Sequence, residues 1–148
     1  MASPARRPVP GRAAVKPPAG LAQLGKTLLL GRDASLRAWA ARSLGERGQV
    51  SAYAYLRHAL WDPAETVRET VVEAIGALAV IQSAGELAAL YAWSGPRLRR
   101  TVLRAVRRIG YRSEFDGILS LAREDPDSRV RALAARAERA GTKGRRRS

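Results

Sequence analysis

Cysteine is absent from the 148 residues, histidine occurs once, and aromatic residues make up only 5% of the chain. Without cysteine there is no disulfide, no thiolate metal site and no thiol nucleophile. His58 alone supplies neither a catalytic histidine pair nor a multi-histidine metal site, so it reads as a solvated or stacking residue. With so few rings, Ala, Leu and Val must fill the interior, which favours closely packed helices. No apolar run reaches the roughly 18 residues of a membrane span, the stretch around Leu28, Leu29 and Leu30 being the longest candidate. Phosphate-binding glycine loops, zinc spacings and nucleophile motifs are missing too. These absences lead us to expect a soluble, cytoplasmic, non-enzymatic protein with no cofactor, no metal and no membrane partner.

Acid is also scarce. Lys and Arg number 27 against 13 Asp and Glu, a formal net charge of +14. Such an excess attracts nucleic acid, anionic membranes or acidic proteins. Nearly all of it is arginine, lysine standing only at Lys16, Lys26 and Lys143, and Ala and Gly are abundant, so codon bias in a GC-rich genome accounts for part of the excess. Bias does not explain why acid is missing from particular stretches. Residues 1–20 carry Pro4, Pro8, Pro10, Pro17 and Pro18 with Arg6, Arg7, Arg12 and Lys16 and no acid, the composition of a disordered basic tail. An acid-free, arginine-rich leader also suits an organellar transit peptide, but prolines this dense oppose the amphipathic helix such a peptide forms. Residues 141–148, with Lys143, Arg145, Arg146 and Arg147, read as a second disordered basic tail.

Between the tails the sequence repeats. Leu36-Arg37 returns as Val67-Arg68, Leu98-Arg99 and Val130-Arg131, at steps of 31, 31 and 32. Ala40, Val71, Val102 and Ala134 keep the same register, as do Leu44, Ile75 and Val106, each spaced by four within its segment as one helix face requires. A second set, Leu56, Leu87 and Ile118, has the same period, so each unit holds two helices. The pattern predicts an all-α solenoid of about eight helices over 21–30, 34–46, 50–61, 65–78, 83–93, 97–109, 114–124 and 128–140. That is three full pairs with a half unit at each end. A pair this small cannot bury its own apolar face, so stacking creates the core. Asp62-Pro63 and Asp125-Pro126 read as helix starts, with Asp as cap and Pro early in the helix. Glu138 falls where Leu44, Ile75 and Val106 are apolar, a charge tolerable in a last repeat.

The acidic turn and Val-Arg lead into the first helix, Asp62-Pro63-Ala64-Glu65-Thr66-Val67-Arg68 and Asp125-Pro126-Asp127-Ser128-Arg129-Val130-Arg131, resemble the HEAT-repeat family, in particular its short prokaryotic members of the phycobilisome-lyase type. Asp33-Ala34-Ser35-Leu36-Arg37 is a looser copy, and Gly45 and Gly76 add to the likeness, which covers about residues 21–140. The resemblance implies a ladder in which Asp62 and Asp125 accept from Arg37, Arg68, Arg99 and Arg131. The third unit departs from it, because Trp93-Ser94-Gly95-Pro96-Arg97 has no turn Asp, which puts the Arg99 rung in doubt. Alkylpurine DNA glycosylases and bilin lyase subunits have a similar fold, but no residue of their catalytic motifs carries over.

Glu69 and Glu73 lie four apart on one helix face, the spacing of an acid-base pair, but the register sets Glu73 level with Arg42 and Arg104 and predicts an ion pair between repeats. The sharpest feature is the acid-free run from Arg97 to Arg112. On a helical wheel Leu98, Val102, Val106 and Ile109 form the buried stripe, and Arg100, Arg104, Arg107 and Arg108 fall opposite. Like charges four apart repel, as do Arg100 with Arg104 and Arg104 with Arg108, which points to an anionic ligand against the plainer alternative of a solvated face. Arg136 aligns with Arg104 and extends the face. The expected anion-binding set is therefore Arg97, Arg100, Arg104, Arg107, Arg108, Arg136, Lys143, Arg145, Arg146 and Arg147. Tyr53, Tyr55, Trp61, Tyr91 and Trp93, in or at the ends of the second helices, could stack on bases but read first as core or cap residues. The leading expectation is an adaptor holding a polyanion, whether nucleic acid, a ribonucleoprotein or an acidic protein surface. The alternatives are a protein scaffold with compositional arginine, and a glycosylase-like or lyase-like enzyme.

Overall fold

The computed structural model describes the backbone of residues 20–146 and the side chains of residues 20–140. Eight α-helices follow one another: α1 Leu21–Leu30, α2 Ala34–Arg47, α3 Tyr53–Ala59, α4 Glu65–Leu78, α5 Ala84–Ala92, α6 Pro96–Ile109, α7 Asp116–Arg123 and α8 Ser128–Arg146. Short 3-10 turns at Val50–Ala52, Ile81–Ser83 and Ser113–Phe115 lead into α3, α5 and α7. No strand occurs among the described residues.

Local chemistry sets several helix ends. The Asp33 carboxylate accepts the amide of Leu36 at 2.8 Å and caps α2, and Gly48, at φ 70°, closes it in the left-handed region that an L side chain avoids. Pro96 occupies the first position of α6, where no amide is needed. Asp62 and Asp125 act differently from the helix caps expected of them. Their carboxylates accept the amides two residues on, Ala64 and Asp127, each at 2.9 Å, so they fold the turn and the helix begins after it. Asp127 caps α8, accepting from Arg129 and Val130. Helix α8 runs to Arg146, past the end expected near residue 140. Gly141 alone does not stop a helix, and the basic residues beyond it suit the negative end of the helix dipole. Residues 1–19 and 147–148, including Arg147, lie outside the described residues.

The first helices of the units, α2, α4, α6 and α8, stack in order as one layer, and the second helices α1, α3, α5 and α7 form the other. Leu44, Ile75 and Val106 face inward with Leu28, Leu56, Leu87 and Ile118, all fully buried, so every unit contributes to one continuous core. Close approach within the first layer rests on glycine. A Cβ on Gly45 would lie 3.0 Å from the Cα and Cβ of Ala74, and one on Gly76 would lie 3.1 Å from those of Ala105. At the N-terminal side no helix of the layer precedes α2 among the described residues. Leu36 and Trp39 are therefore 42% and 49% exposed, whereas their counterparts Val67 and Thr70 in α4 are covered by α2.

Candidate functional site

The leading arginines of α2, α4 and α8 turn back onto their own turns. Arg37 donates to the carbonyl of Gly31, Arg68 to those of Asp62 and Pro63, and Arg131 to those of Asp125 and Pro126, over 2.6 to 3.2 Å. The turn carboxylates are taken from the preceding unit. Arg37 meets Asp62 through two bonds of 2.8 and 3.2 Å, which raises its pKa above the ordinary value, and Arg99 meets Asp125 at 3.2 Å. Arg68 and Arg131 thus reach the backbone of the acidic turns and not their carboxylates. The missing Asp of the third unit costs Arg68 its forward acid, and leaves the Arg99 rung intact. Trp93 stands where Asp62 stands one unit earlier, its ring 85% exposed, with its amide bonded to Leu90 as that of Asp62 is to Ala59.

Asp125 gathers three donors in a buried position: Arg99, the Tyr91 hydroxyl at 2.6 Å and the Asp127 amide. The guanidinium of Arg99 also lies 5.8 Å from the centre of the Tyr91 ring. Burial first and the Asp125 bond second push the Tyr91 phenol up. A second clasp joins α3 and α5, where Glu86 accepts from the Tyr53 hydroxyl and pairs with Arg57, both at 3.0 Å. Burial, then the Glu86 bond, pushes the Tyr53 phenol up to about 12. Tyr55 packs its ring over Gly25, so of the five aromatics only Trp61 and Trp93 are exposed.

On α6 the burial of Leu98, Val102 and Val106 turns the opposite side outward, and apart from Pro96 every exposed residue of this helix is an arginine. Three expected members of the anion-binding set stand apart from the others. Arg100 is half-buried and pairs with Asp127 at 3.4 Å, because α8 begins beside it. Arg97 pairs with Glu69 of α4 at 2.8 Å. Arg108 opens into the groove over α2 and α4, of about 460 Å³, which it lines with Arg42, Glu46 and Glu73 around Gly45 and Ala74. Glu73 makes no ion pair with Arg42 or Arg104 among the described residues. All three are exposed, and the salt bridges that do form join other partners.

Arg104, Arg107 and Arg136 remain, and Arg139 joins them. Arg107, Arg136 and Arg139 converge with Ala140 on a cleft of about 350 Å³ between α6 and α8. Among the described residues none of these four arginines has a hydrogen-bond or ion-pair partner. The acid nearest in sequence, Glu138, bonds Arg123 of α7. Arg107 and Arg139 hold the register position of Gly45 and Gly76, eight residues after the leading arginine of their helices. At Gly45 and Gly76 a Cβ would crowd the next helix, whereas Arg107 carries a full side chain at that position, exposed and lining the cleft. The register glycine giving way to Arg107 was the signal that could have exposed the cleft and Arg139 in the sequence. Lys143, Arg145 and Arg146 lie on the last turns of α8, but their side chains fall outside the described residues, as does Arg147.

A family model of HEAT repeats matches residues 21–95, just over half of the chain. The chain belongs to the HEAT-repeat family. HEAT repeats are generally protein-interaction and adaptor modules without catalysis. Here the matched stretch takes in the glycine-packed HEAT helices α2 and α4 and ends at Gly95, ahead of the arginine-rich α6. A search of the curated proteins returns no match. Among the described residues no helix is long and apolar enough to cross a membrane, and no group of three His, Asp or Glu side chains could hold a metal ion.

Proposed function

We propose that this HEAT-repeat protein is a non-enzymatic adaptor that binds nucleic acid on the outer face of α6 and α8. The observation that carries the reading is the character of that face. Arg104, Arg107, Arg136 and Arg139 are exposed and without partners among the described residues, and the other exposed side chains of α8 up to Ala140 are small or basic. An acidic protein would need a desolvated apolar or aromatic patch at the centre of its interface, and this face has none. A phosphate backbone needs only donors and charge. Nothing on the face is suited to reading base edges, so binding is expected to be nearly indifferent to sequence.

The test is a salt titration of affinity for a labelled oligonucleotide, followed by fluorescence anisotropy. Four phosphate contacts give a slope of log affinity against log salt of about −3 for a single strand and about −4 for a duplex. Replacing Arg104, Arg107 and Arg136 together with Glu is expected to weaken binding at least about 100-fold and to flatten the slope. Arg42→Glu, in the groove that already holds Glu46 and Glu73, is expected to change little. Unchanged affinity and slope in the triple variant would make the arginine face solvated surface. Tighter binding of polyglutamate than of the oligonucleotide would return the acidic-protein reading.

A further inference from the structure

The cleft between α6 and α8 differs in shape from the open face beside it. Building on the nucleic-acid reading, we infer that it seats the terminal phosphate monoester of a strand, and that the continuous phosphodiester backbone runs over the exposed arginines outside it. Arg107 enters from α6, Arg136 and Arg139 from α8, with Ala140 beside them, around a volume of about 350 Å³. Each guanidinium is a planar fork of N–H donors that grips two oxygens of one phosphoryl group.

A diester within a strand offers two free oxygens and a single charge, and it is tethered on both sides to chain that must pass the walls of a cleft. A terminal monoester offers three free oxygens and close to two negative charges at neutral pH, and it protrudes. Three arginines on one small volume, without partners among the described residues, match the second group in donors and in charge. Arg104, which does not line the cleft, is the natural seat for a diester.

Among the described residues the charged side chains lining the cleft are all arginines, and of its neighbours α7 presents Arg123, bonded to Glu138. Arginine does not titrate near neutrality, so any pH dependence of the preference comes from the ligand, whose second ionisation lies near about pH 6.

The experiment compares one oligonucleotide carrying a phosphate at its 5′ end, at its 3′ end, or at neither, binding to the full chain. A terminal phosphate at either end is expected to tighten binding about tenfold. That preference is expected to fade between about pH 7.5 and about pH 5 as the monoester loses its second charge. It should vanish in the variant carrying Arg107→Gln and Arg139→Gln, which alters exposed side chains and leaves the core untouched, while the unphosphorylated strand loses only severalfold. Equal binding of all three strands to the native protein overturns the monoester site and leaves nucleic-acid binding standing. A preference that survives the double variant places the site elsewhere and overturns it as well. Failure of every strand to bind at low salt overturns the nucleic-acid reading, and this inference with it.

Discussion

Helices α4 and α6 meet over a glycine, whereas α6 and α8 meet where the same register position is an arginine. In the first contact Gly76 lies against Ala105, so close that an added Cβ would stand 3.1 Å from its Cα and Cβ, and the groove over the neighbouring α2–α4 contact mixes Arg42 and Arg108 with Glu46 and Glu73. In the second, an arginine stands at that position, and among the described residues the cleft is lined by three arginines and an alanine. At the turn end both kinds of contact carry ion pairs, Arg37 on Asp62 ahead of α4, and Arg99 with Tyr91 on Asp125 and Arg100 on Asp127 ahead of α8. The helices of the layer thus share an apolar core and polar clasps, and the α6–α8 contact differs at its far end, where its arginines meet no acid among the described residues.

The comparison can be broken most severely at its polar clasp. Asp125→Ala strands a largely buried Arg99 and the Tyr91 hydroxyl together, and is expected to cost about 3 kcal/mol, read as the shift in a urea midpoint. If it is nearly neutral, the last unit is held by apolar packing alone. Gly76→Arg writes the α6 residue into α4. Overpacking against the backbone of Ala105, partly offset by the better helix propensity of arginine, predicts a loss of about 2 kcal/mol. The reverse change, Arg107→Gly, is expected to leave stability within about 1 kcal/mol of the native protein and to weaken oligonucleotide binding as the cleft narrows. The mildest test is pH. The amides of Val130 and Arg129 and the charge of Arg100 hold the Asp127 carboxyl below its ordinary value. Its contribution is therefore fully present above the unfolded carboxyl pKa of about 4, and is lost as pH falls through the depressed folded value. Melting curves of Asp127→Asn should accordingly lie below the native ones at neutral pH and converge with them in acid.

Much of the fold was legible because helix faces are local. The spacing by four of Val67, Val71 and Ile75, and its recurrence at 31 and 32 residues, carries the buried stripe, the pairing of helices and their number without reference to any contact. Trp93 was harder to judge. The repeat register sets it level with Asp62, and the hydrogen bonding of the two turns agrees. The candidate site was half legible. Arg104, Arg107 and Arg136 could be seen as exposed charge, yet Arg97 and Arg100 looked equivalent to them on a helical wheel, and Arg139 went unnoticed.

Composition and period therefore determined by themselves an all-α stack of helix pairs with a surplus of arginine, since both follow from counting along one chain. Which arginines stay uncompensated was decided by the tertiary structure. Residues one full period apart occupy equivalent places on successive helices, so aligning Glu73 with Arg42 and Arg104 pairs positions that do not meet. Between successive helices of the first layer the ion pairs join residues 25 to 28 apart, Arg37 with Asp62, Arg99 with Asp125, Arg100 with Asp127 and Glu69 with Arg97, because the early turns of one helix reach the turn or start of the next. That offset is a property of how the helices stack, and it engages Arg97 and Arg100 while leaving Arg107, Arg136 and Arg139 without an acid among the described residues.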